Sequence, residues 1–249
     1  MMLEYCTFTH KGHVRKTNQD YFFVPETMHS LQRVLIVADG MGGHNAGDIA
    51  SKIAVESAVD YFTLNIVDEK HNIKKAINEA IQYANSAILK MAKTHDKYRD
   101  MGTTFTIAYV QNDKAYIGHV GDSRAYIIKN GEVIQVTRDH SLVQELFENG
   151  TITKEQMNLH PNRNILTNAL GLEDSTQVDL YEIDFNEEDV LLLCTDGLNL
   201  YVDLAHYEKM FQPEYSLEEI VNTLGQKALN AGGSDNVTIV AARNVGAFE

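Results

Sequence analysis

The sequence has little of what several classes of protein require. Its 249 residues include two cysteines, three prolines and no tryptophan. Two cysteines cannot build a disulfide framework or a cysteine-rich zinc site, and a reducing, cytoplasmic compartment suits them best. No apolar run near the N-terminus is typical of a signal peptide, and the longest apolar runs, at 34–38 and 190–194, are too short to span a bilayer. We therefore expect a cytoplasmic protein that has no membrane partner.

Positive charge is scarce as well. Lysine and arginine number 21 against 35 aspartates and glutamates, which gives a formal net charge of −14. Nucleic acids and anionic membranes both require clustered cations, so this balance argues against either as a partner. Apolar residues make up 44% of the chain, enough to fill a core. With no linker-like stretch and no repeat, residues 1–249 are predicted to form one domain, and nothing in the sequence demands more than a monomer.

Apolar patterning predicts strands that are interrupted by blocks of helix. Strand-like runs occur at 33–38, 103–110, 114–120, 190–194 and 237–241. Asn130-Gly131, between the runs 124–129 and 132–137, is typical of a hairpin turn. Apolar residues at helical spacing predict helices over 49–62 and 73–91, and Ser216 with Glu219 predicts the start of a third. Hairpins with separate helices indicate an α+β fold.

Residues 141–167 differ from the rest of the chain. A short helix over 141–149 is predicted to end at Gly150, and a second is predicted to begin at Thr153, where Gln156 completes a capping box. We interpret this segment as a small helical flap, inserted between strands and placed at the surface.

Four aspartates stand where an apolar strand ends or is about to begin: Asp39, Asp122, Asp196 and Asp235. In two cases the next residue is a glycine, Gly40 or Gly197. A single Asp-Gly pair is most often an ordinary turn. Four carboxylates in one place would repel one another and resist burial, whereas a hard divalent cation between them removes the conflict. Together they predict an oxygen-ligand site for Mg²⁺ or Mn²⁺.

Seven short motifs follow one another along nearly the whole chain. They are RKTNQD at 15–20, ADGMGGHNAG at 38–47, MGTT at 101–104, GHVGDSR at 118–124, TRDHS at 137–141, LLCTDG at 192–197 and GSDNV at 233–237. In content and order they resemble the motifs of the metal-dependent protein phosphatases, the PPM family or protein phosphatase type 2C. The resemblance is greatest to the short bacterial serine/threonine phosphatases that oppose Ser/Thr kinases.

The resemblance implies a fold and a metal centre. The fold would be a four-layer α-β-β-α sandwich, in which helices flank two central antiparallel sheets. Two Mn²⁺ or Mg²⁺ ions would bind per active site, with Asp39 bridging them and with the Gly40 carbonyl, Asp196 and Asp235 as further ligands. Asp122 would contribute to a third, weaker ion near the flap. Asp20 would orient a metal-bound water, and Asn236 would lie behind the ligands.

The resemblance also implies a reaction. A water that bridges the two ions would attack the phosphorus of phosphoserine or phosphothreonine in a phosphoprotein. Arg15 belongs to a small cationic island with Lys11, His13 and Lys16, and it would grip the phosphoryl oxygens. Without the resemblance, we would interpret Arg15 as a solvated surface charge. Two alternatives are a catalytically silent, phosphoprotein-binding regulator and another metal-dependent phosphohydrolase, such as a nuclease.

Three positions depart from the pattern of the family. Met41 stands where animal members have a histidine, and His44 lies three residues further on. His44 is predicted either to assist substrate binding or proton transfer or simply to pack within its loop. Gln19 replaces a glutamate that many relatives carry. Leu200 replaces an acidic residue, which removes one carboxylate from the neighbourhood of a third ion.

Overall fold

Two antiparallel β-sheets packed face to face form the centre of the fold. The computed structural model describes residues 2–25, 31, 33–42, 46–65, 72–212 and 214–246. Sheet 1 contains, in spatial order, β1 (Leu3–His10), β11 (Val237–Asn244), β10 (Val190–Cys194), β7 (Arg124–Lys129) and β8 (Glu132–Gln135). Sheet 2 contains β2 (Asp20–Phe23), β3 (Val34–Met41), β5 (Phe105–Gln111), β6 (Lys114–Val120) and β9 (Asp179–Asp184), with β4 (Gly102–Thr103) paired to the end of β3.

Helices cover the outer face of each sheet. Their bounds are α1 (Gly47–Leu64), α2 (Ile73–Ala92), α3 (Leu142–Glu148), α4 (Lys154–Leu159), α5 (Asp196–Asn199) and α6 (Leu217–Asn230), with two 3-10 helices at Asp96–Tyr98 and Leu204–Phe211. Helices α1 and α2 pack on sheet 2, and α6 packs on sheet 1. The predicted α+β class and four-layer α-β-β-α sandwich are confirmed.

The alternation of side chains along each strand builds three apolar layers. Along β3, Leu35 and Val37 face sheet 1, whereas Val34, Ile36 and Ala38 face the helices α1 and α2. Along β10, Leu191 and Leu193 enter the layer between the sheets, while the intervening residues face α6. Because strand side chains point alternately to opposite faces, a strand buried on both faces reads as a continuous apolar run.

Local signals in the sequence set the ends of the helices. Ser216 and Thr153 each form a capping box, the first with Glu219 and the second with Gln156. Both motifs satisfy backbone N–H groups that the first turn of a helix leaves unpaired. Asn130 has a φ of +52° and Gly131 one of +81°, as a two-residue hairpin turn requires. No helix within the described residues is long and apolar enough to cross a membrane.

Candidate metal centre and active site

A cleft of about 230 Å³ opens at one end of the two sheets. The ends of β3, β6 and β10 and the start of β11 lie at this end, as the pairing registers require. Side chains from all of them line the cleft, together with residues of the N-terminal loop and of the flap: Arg15, Gln19, Asp39, Asp122, Asn164, Leu166, Asp196, Asp235 and Asn236. The structure therefore brings the four predicted carboxylates to one place.

Each carboxylate is fixed by the element that carries it. Asp39 lies within β3, whereas Asp122 follows the end of β6 by two residues and Asp235 precedes the start of β11 by two. Asp196 is the first residue of α5 and follows the end of β10 by two residues. Asp20 begins β2 and is the register partner of Asp39 on the neighbouring strand. A rigid strand therefore precedes or follows every one of these side chains, which limits how far the side chains can separate to relieve their repulsion.

The two glycines that follow Asp39 and Asp196 are required by close backbone contacts. A Cβ atom on Gly40 would lie 1.9 Å from the carbonyl oxygen of Gly47, at the start of α1. A Cβ atom on Gly197 would lie 1.9 Å from the carbonyl oxygen of Asn236. Any side chain at either position would force the backbone apart, so glycine lets α1 and the last loop close around the cleft.

Two threonines of the MGTT motif, Thr103 and Thr104, hold the backbone of Asp39. The N–H of Asp39 donates to Oγ1 of Thr104 (2.9 Å), and its carbonyl oxygen accepts from Oγ1 of Thr103 (2.9 Å). Oγ1 of Thr104 also lies 2.7 Å from Oγ of Ser123, beside Asp122. These bonds connect the backbone of one cleft carboxylate to the turn that carries another.

Asp20 lies buried under the cleft with one oxygen satisfied and one free. Its Oδ2 accepts hydrogen bonds from the hydroxyls of Thr195 (2.8 Å) and Thr238 (2.7 Å). Its Oδ1 is buried and has no hydrogen-bond partner among the described residues. Burial raises the pKa of Asp20 to about 7, against the lowering effect of the two hydroxyls. Neither threonine was predicted as a partner of Asp20, although Thr195 directly precedes the predicted ligand Asp196.

Burial and mutual repulsion raise the pKa values of the other carboxyl groups. Burial raises the pKa of Asp39 well above its usual range, and the charges of Asp20 and Asp196 add to the effect. The pKa of Asp122 is also well above its usual range, through burial and then through the charge of Asp196. The pKa of Asp196 rises to about 6, through burial and then through Asp235, while a hydrogen bond with Asp39 opposes the rise. Arg15 and Arg124 lower the pKa of Asp196, but burial and repulsion outweigh them.

Arg15 is the cation that approaches the cluster from the rim. Its Nη2 lies 2.8 Å from Oδ2 of Asp235, and half of its side chain is exposed. Asn236 fixes the loop that carries it: Nδ2 donates to the carbonyl oxygens of Lys11 (2.8 Å) and Thr17 (3.0 Å). An exposed ion pair of this kind contributes little stability, so the guanidinium can exchange Asp235 for an incoming anion.

The site fits hard divalent cations. Its donors are carboxylate and carbonyl oxygens, which Mg²⁺ and Mn²⁺ prefer. Asp196, like Asp20, has a buried Oδ1 without a hydrogen-bond partner among the described residues, and such orphaned oxygens are costly unless a ligand satisfies them. Within the described residues, no three carboxylate, imidazole or thiol groups already enclose a common point. Mg²⁺ usually retains several waters, and these would complete the coordination.

A smaller recess of about 90 Å³ adjoins the cleft on the side of Asp122 and Asp196. Leu200 lines it and is 39% exposed. The amide of the preceding residue, Asn199, is engaged elsewhere, because its Oδ1 accepts from the Tyr126 hydroxyl (2.8 Å) and its Nδ2 donates to Sγ of Cys194 (3.2 Å). Among the described residues, three carboxylates line this recess: Asp122, Asp139 and Asp196. Arg124 binds Asp139, which leaves Asp122 and Asp196 for a third ion.

The flap predicted at 141–167 lies beside the cleft. Helices α3 and α4 occupy it, and Asn164 and Leu166 from its last turn reach the lining of the cleft. Ser141 caps α3, and its backbone bridges to Leu166, so the two ends of the flap are joined. His44, predicted to contact substrate or to pack its loop, lies outside the described residues.

The chain is similar in sequence and in structure to known phosphatases. Residues 9–233 match the family model described as protein phosphatase 2C. A serine/threonine phosphatase of Listeria innocua is 39% identical over 235 residues, which are 93% of this chain and 92% of the relative. A crystal structure of a serine/threonine phosphatase from Staphylococcus aureus is 34% identical, with a TM-score of 0.88 over 98% of this chain and 95% of that one. The catalytic domain of the phosphatase PstP, solved with two manganese ions, is 31% identical, with a TM-score of 0.83 and 97% of each chain covered.

Proposed function

The chain belongs to the protein phosphatase 2C family, and from this premise we propose that its acidic cleft hydrolyses phosphoserine and phosphothreonine in phosphoproteins with the help of divalent cations. One observation carries the proposal. Several buried carboxyl groups, among them Asp39, Asp122 and Asp196, converge at the end of the sheets, and the nearby arginines Arg15 and Arg124 leave their pKa values raised. Such an arrangement is costly unless divalent cations bind there.

Asp39, Asp196, Asp235 and the carbonyl of Gly40 would hold two ions, with Asp39 shared between them. We propose Mn²⁺ or Mg²⁺ for both, which is supported by the oxygen donors and by the two manganese ions in the structure of PstP. When bound, such ions supply Lewis acidity and lower the pKa of water to near neutrality. A third ion would find Asp122 and Asp196 but Leu200 instead of a third carboxylate, so we propose that it binds weakly.

Asp20 and Asn236 would position the groups around the ions. The two hydroxyls on Oδ2 of Asp20 fix the plane of its carboxyl group, and Oδ1 is left as an acceptor. We propose that Oδ1 accepts a hydrogen bond from the attacking water and thereby orients it. Asn236 holds the loop of Arg15 in place through its amide.

Arg15 would bind the phosphoryl group. Its guanidinium is half exposed at the mouth of the cleft, and Asp235 keeps it there. A planar guanidinium can donate two parallel hydrogen bonds to phosphate oxygens. Charge on those oxygens is best balanced by donors that are already in place before the reaction, so Arg15 would stabilise the transition state.

The domain organisation, the compartment, the oligomeric state and the partners belong to the same proposal. We propose one catalytic domain, because both sheets contribute to the layer between them and to the cleft. We propose a cytoplasmic monomer that acts opposite a bacterial Ser/Thr kinase and binds neither membrane nor nucleic acid; the net charge of −14 and the two free cysteines support this. A nuclease would need a basic groove, and the charge opposes one. Arg15 and the full set of carboxylates give no support to a catalytically silent regulator.

Phosphate release from a phosphothreonine peptide tests the proposal. Wild-type protein is assayed with Mn²⁺, with Mg²⁺ and with excess chelator, beside Asp39→Asn and the control Asp60→Asn. Asp60 is an exposed residue of α1, so its variant makes the same chemical change at a distance from the cleft. We expect turnover only with metal, a loss of at least a thousandfold in Asp39→Asn and no change in Asp60→Asn.

Three outcomes would contradict the proposal. Turnover that persists in Asp39→Asn would mean that the metal centre lies elsewhere. No turnover of any phosphopeptide, in folded wild-type protein that calorimetry shows to bind Mn²⁺, would favour a silent binding protein. Cleavage of DNA or RNA under the same conditions would favour a nuclease.

A further inference from the structure

His140 lies where the chain enters the flap, and its imidazole contacts three separate segments. Nδ1 lies 3.1 Å from the backbone nitrogen of Gly121 and 3.3 Å from Nδ2 of Asn168. Nε2 lies 3.1 Å from Oδ2 of Asp179, on β9. The residue is only 6% exposed. A buried imidazole with a partner on each nitrogen has one defined orientation. His140 therefore fixes the positions of the three segments relative to one another.

The partners fix the tautomer of this ring. The N–H of Gly121 and the amide NH₂ of Asn168 can only donate, so Nδ1 must be the unprotonated nitrogen that accepts. Nε2 then carries the proton and donates a hydrogen bond to Asp179, which also accepts a hydrogen bond from the Tyr181 hydroxyl. A carboxylate that holds one nitrogen of a histidine sets the orientation of the other, in the way known from histidines that bind metals.

The backbone of His140 joins the same segments a second time. Its N–H donates to the carbonyl oxygen of Gly121 (2.7 Å), and its own carbonyl oxygen accepts from the N–H of Thr167 (2.9 Å). The flap begins at the next residue, Ser141, and ends at Thr167. His140 therefore binds Gly121 through both backbone and side chain, and it also holds the last residue of the flap.

Gly121 is the residue directly before Asp122, and its conformation depends on this support. It has a φ of +108°, which side-chain-bearing residues rarely adopt, and a Cβ atom there would lie 2.6 Å from the side chain of Thr104. On the other side of Asp122, the hydroxyl of Ser123 is hydrogen-bonded to the hydroxyl of Thr104. The Thr104 hydroxyl in turn accepts a hydrogen bond from the N–H of Asp39. A shift of Gly121 therefore moves Asp122 and can also disturb the support of Asp39.

We propose that His140 is a positioning residue of the phosphatase site: through Nδ1 it holds the Gly121 N–H, and it thereby fixes Asp122 at the cleft and ties this turn to both ends of the flap. The proposal rests on the proposed function, because it assigns a second layer of support to the same cleft. It gives a specific role to a histidine that does not line the cleft.

Two substitutions separate the two nitrogens. In His140→Asn, the amide oxygen takes the place of Nδ1 and can still accept from Gly121, but the bond to Asp179 is lost. In His140→Gln, the amide reaches the place of Nε2 and can still donate to Asp179, but the N–H of Gly121 loses its acceptor. His140→Asn loses the hydrogen bond to Asp179, whereas His140→Gln loses the acceptor for both Gly121 and Asn168. Because Asn168 still donates to the carbonyl oxygen of Gln177 (2.7 Å), we expect only a small difference between the two thermal midpoints.

The activities of the two variants should differ. With saturating Mn²⁺ and a phosphothreonine peptide, we expect kcat/KM of His140→Gln to be about tenfold below that of His140→Asn, which corresponds to about 1.4 kcal/mol. Both variants are then made in an Asp122→Asn background. If His140 acts through Asp122, the tenfold difference falls below twofold there, because the two residues are coupled.

Two results would overturn the inference. Equal kcat/KM values for the two variants, at equal thermal midpoints, would mean that His140 is a packing residue only. An undiminished tenfold difference in the Asp122→Asn background would mean that it acts through another group. If His140→Gln does not fold, His140→Ser replaces it in the same comparison, with and without Asp122→Asn. Serine leaves room for a water but removes Nδ1. An inactive wild-type protein would refute the proposed function, which is a result distinct from either of these.

Discussion

Replacing Asp196 by asparagine should stabilise the metal-free protein, although the residue is a proposed metal ligand. Burial, followed by repulsion from Asp235, raises the pKa of Asp196 from 3.8 to about 6. At pH 7.5 the carboxylate is therefore charged in both the folded and the unfolded protein, but the folded protein holds that charge unfavourably. Asparagine has nearly the same volume and no charge, so it removes this cost.

The magnitude follows from the shift. A change of about two pK units, at about 1.4 kcal/mol per unit, corresponds to about 3 kcal/mol in the free energy of unfolding. In a protein of this size, each kcal/mol changes the midpoint of thermal unfolding by about 2–4 °C. We therefore expect the midpoint to rise by up to about 6–12 °C.

The pH dependence gives a second measure of the same effect. An acid whose pKa is raised in the folded state favours folding when protonated, so its contribution is complete below its ordinary pKa and is lost as the pH rises through the raised value. For Asp196 the window runs from about pH 4 to pH 6, and for Asp20 to about pH 7. Metal-free wild-type protein should become less stable across this range, and Asp196→Asn should lose less stability.

Thermal unfolding with and without metal measures both effects. Wild type, Asp196→Asn and the exposed control Asp60→Asn are dialysed against chelator and unfolded between pH 4.5 and 7.5, and again with excess Mn²⁺ at pH 7.5. A ligand present at a hundred times its dissociation constant stabilises by about 2.7 kcal/mol, and Asp196→Asn should lose most of this gain. A metal-free variant at or below the wild-type midpoint at pH 7.5 would refute the reasoning.

Three further predictions concern the rim of the cleft. Arg15→Ala should lower kcat/KM for a phosphothreonine peptide roughly a hundredfold. The thermal midpoint should change little, because the side chain is half exposed, and a large fall in that midpoint would argue for a structural role. Leu200→Asp adds a carboxylate beside Asp122 and should lower the Mn²⁺ concentration for half-maximal activity severalfold, whereas an unchanged titration would place the third ion elsewhere. Asn164→Ala, in the flap, should reduce turnover of a phosphoprotein more than that of a small aryl phosphate, and equal losses would count against a substrate-binding flap.

The elements that were predicted well are those buried on both faces or marked by local chemistry. The runs 114–120, 124–129 and 190–194 coincide with β6, β7 and β10. The interiors of β7 and β10 contain uninterrupted apolar residues, and in β6 only Gly118 and His119 interrupt them. The flap helices appear where Thr153 and Ser141 cap them. Three strands were not identified: β1, β2 and β9. In β9 the burial alternates between half-buried and exposed residues, and β2 has only four residues, so neither gives a strong apolar pattern.

The residues of the candidate site likewise fall into two groups, those that were predicted from the sequence and those that were not. The positions of Asp39, Asp122, Asp196 and Asp235 next to apolar strands, together with the order of the motifs, identified the carboxylates and the family. The residues that position them were not apparent: Thr195 and Thr238 on Asp20, Thr104 on Asp39, and His140 on the turn before Asp122. Hydroxyls and imidazoles are common in strands and loops, and only their partners show what they do.

The sequence by itself determined the order of the elements, the family and the identity of the carboxylates, because periodicity, capping and short motifs are properties of residues that are near one another along the chain. Only the tertiary structure decided that Asp20 lies beneath the cleft with one unpaired oxygen, that Arg15 lies on Asp235, and that one histidine joins the flap to the turn of Asp122. These contacts join residues separated by up to 220 positions. Distances and burial at such separations depend on how the two sheets pack, and they set the pKa values and the chemistry of the site.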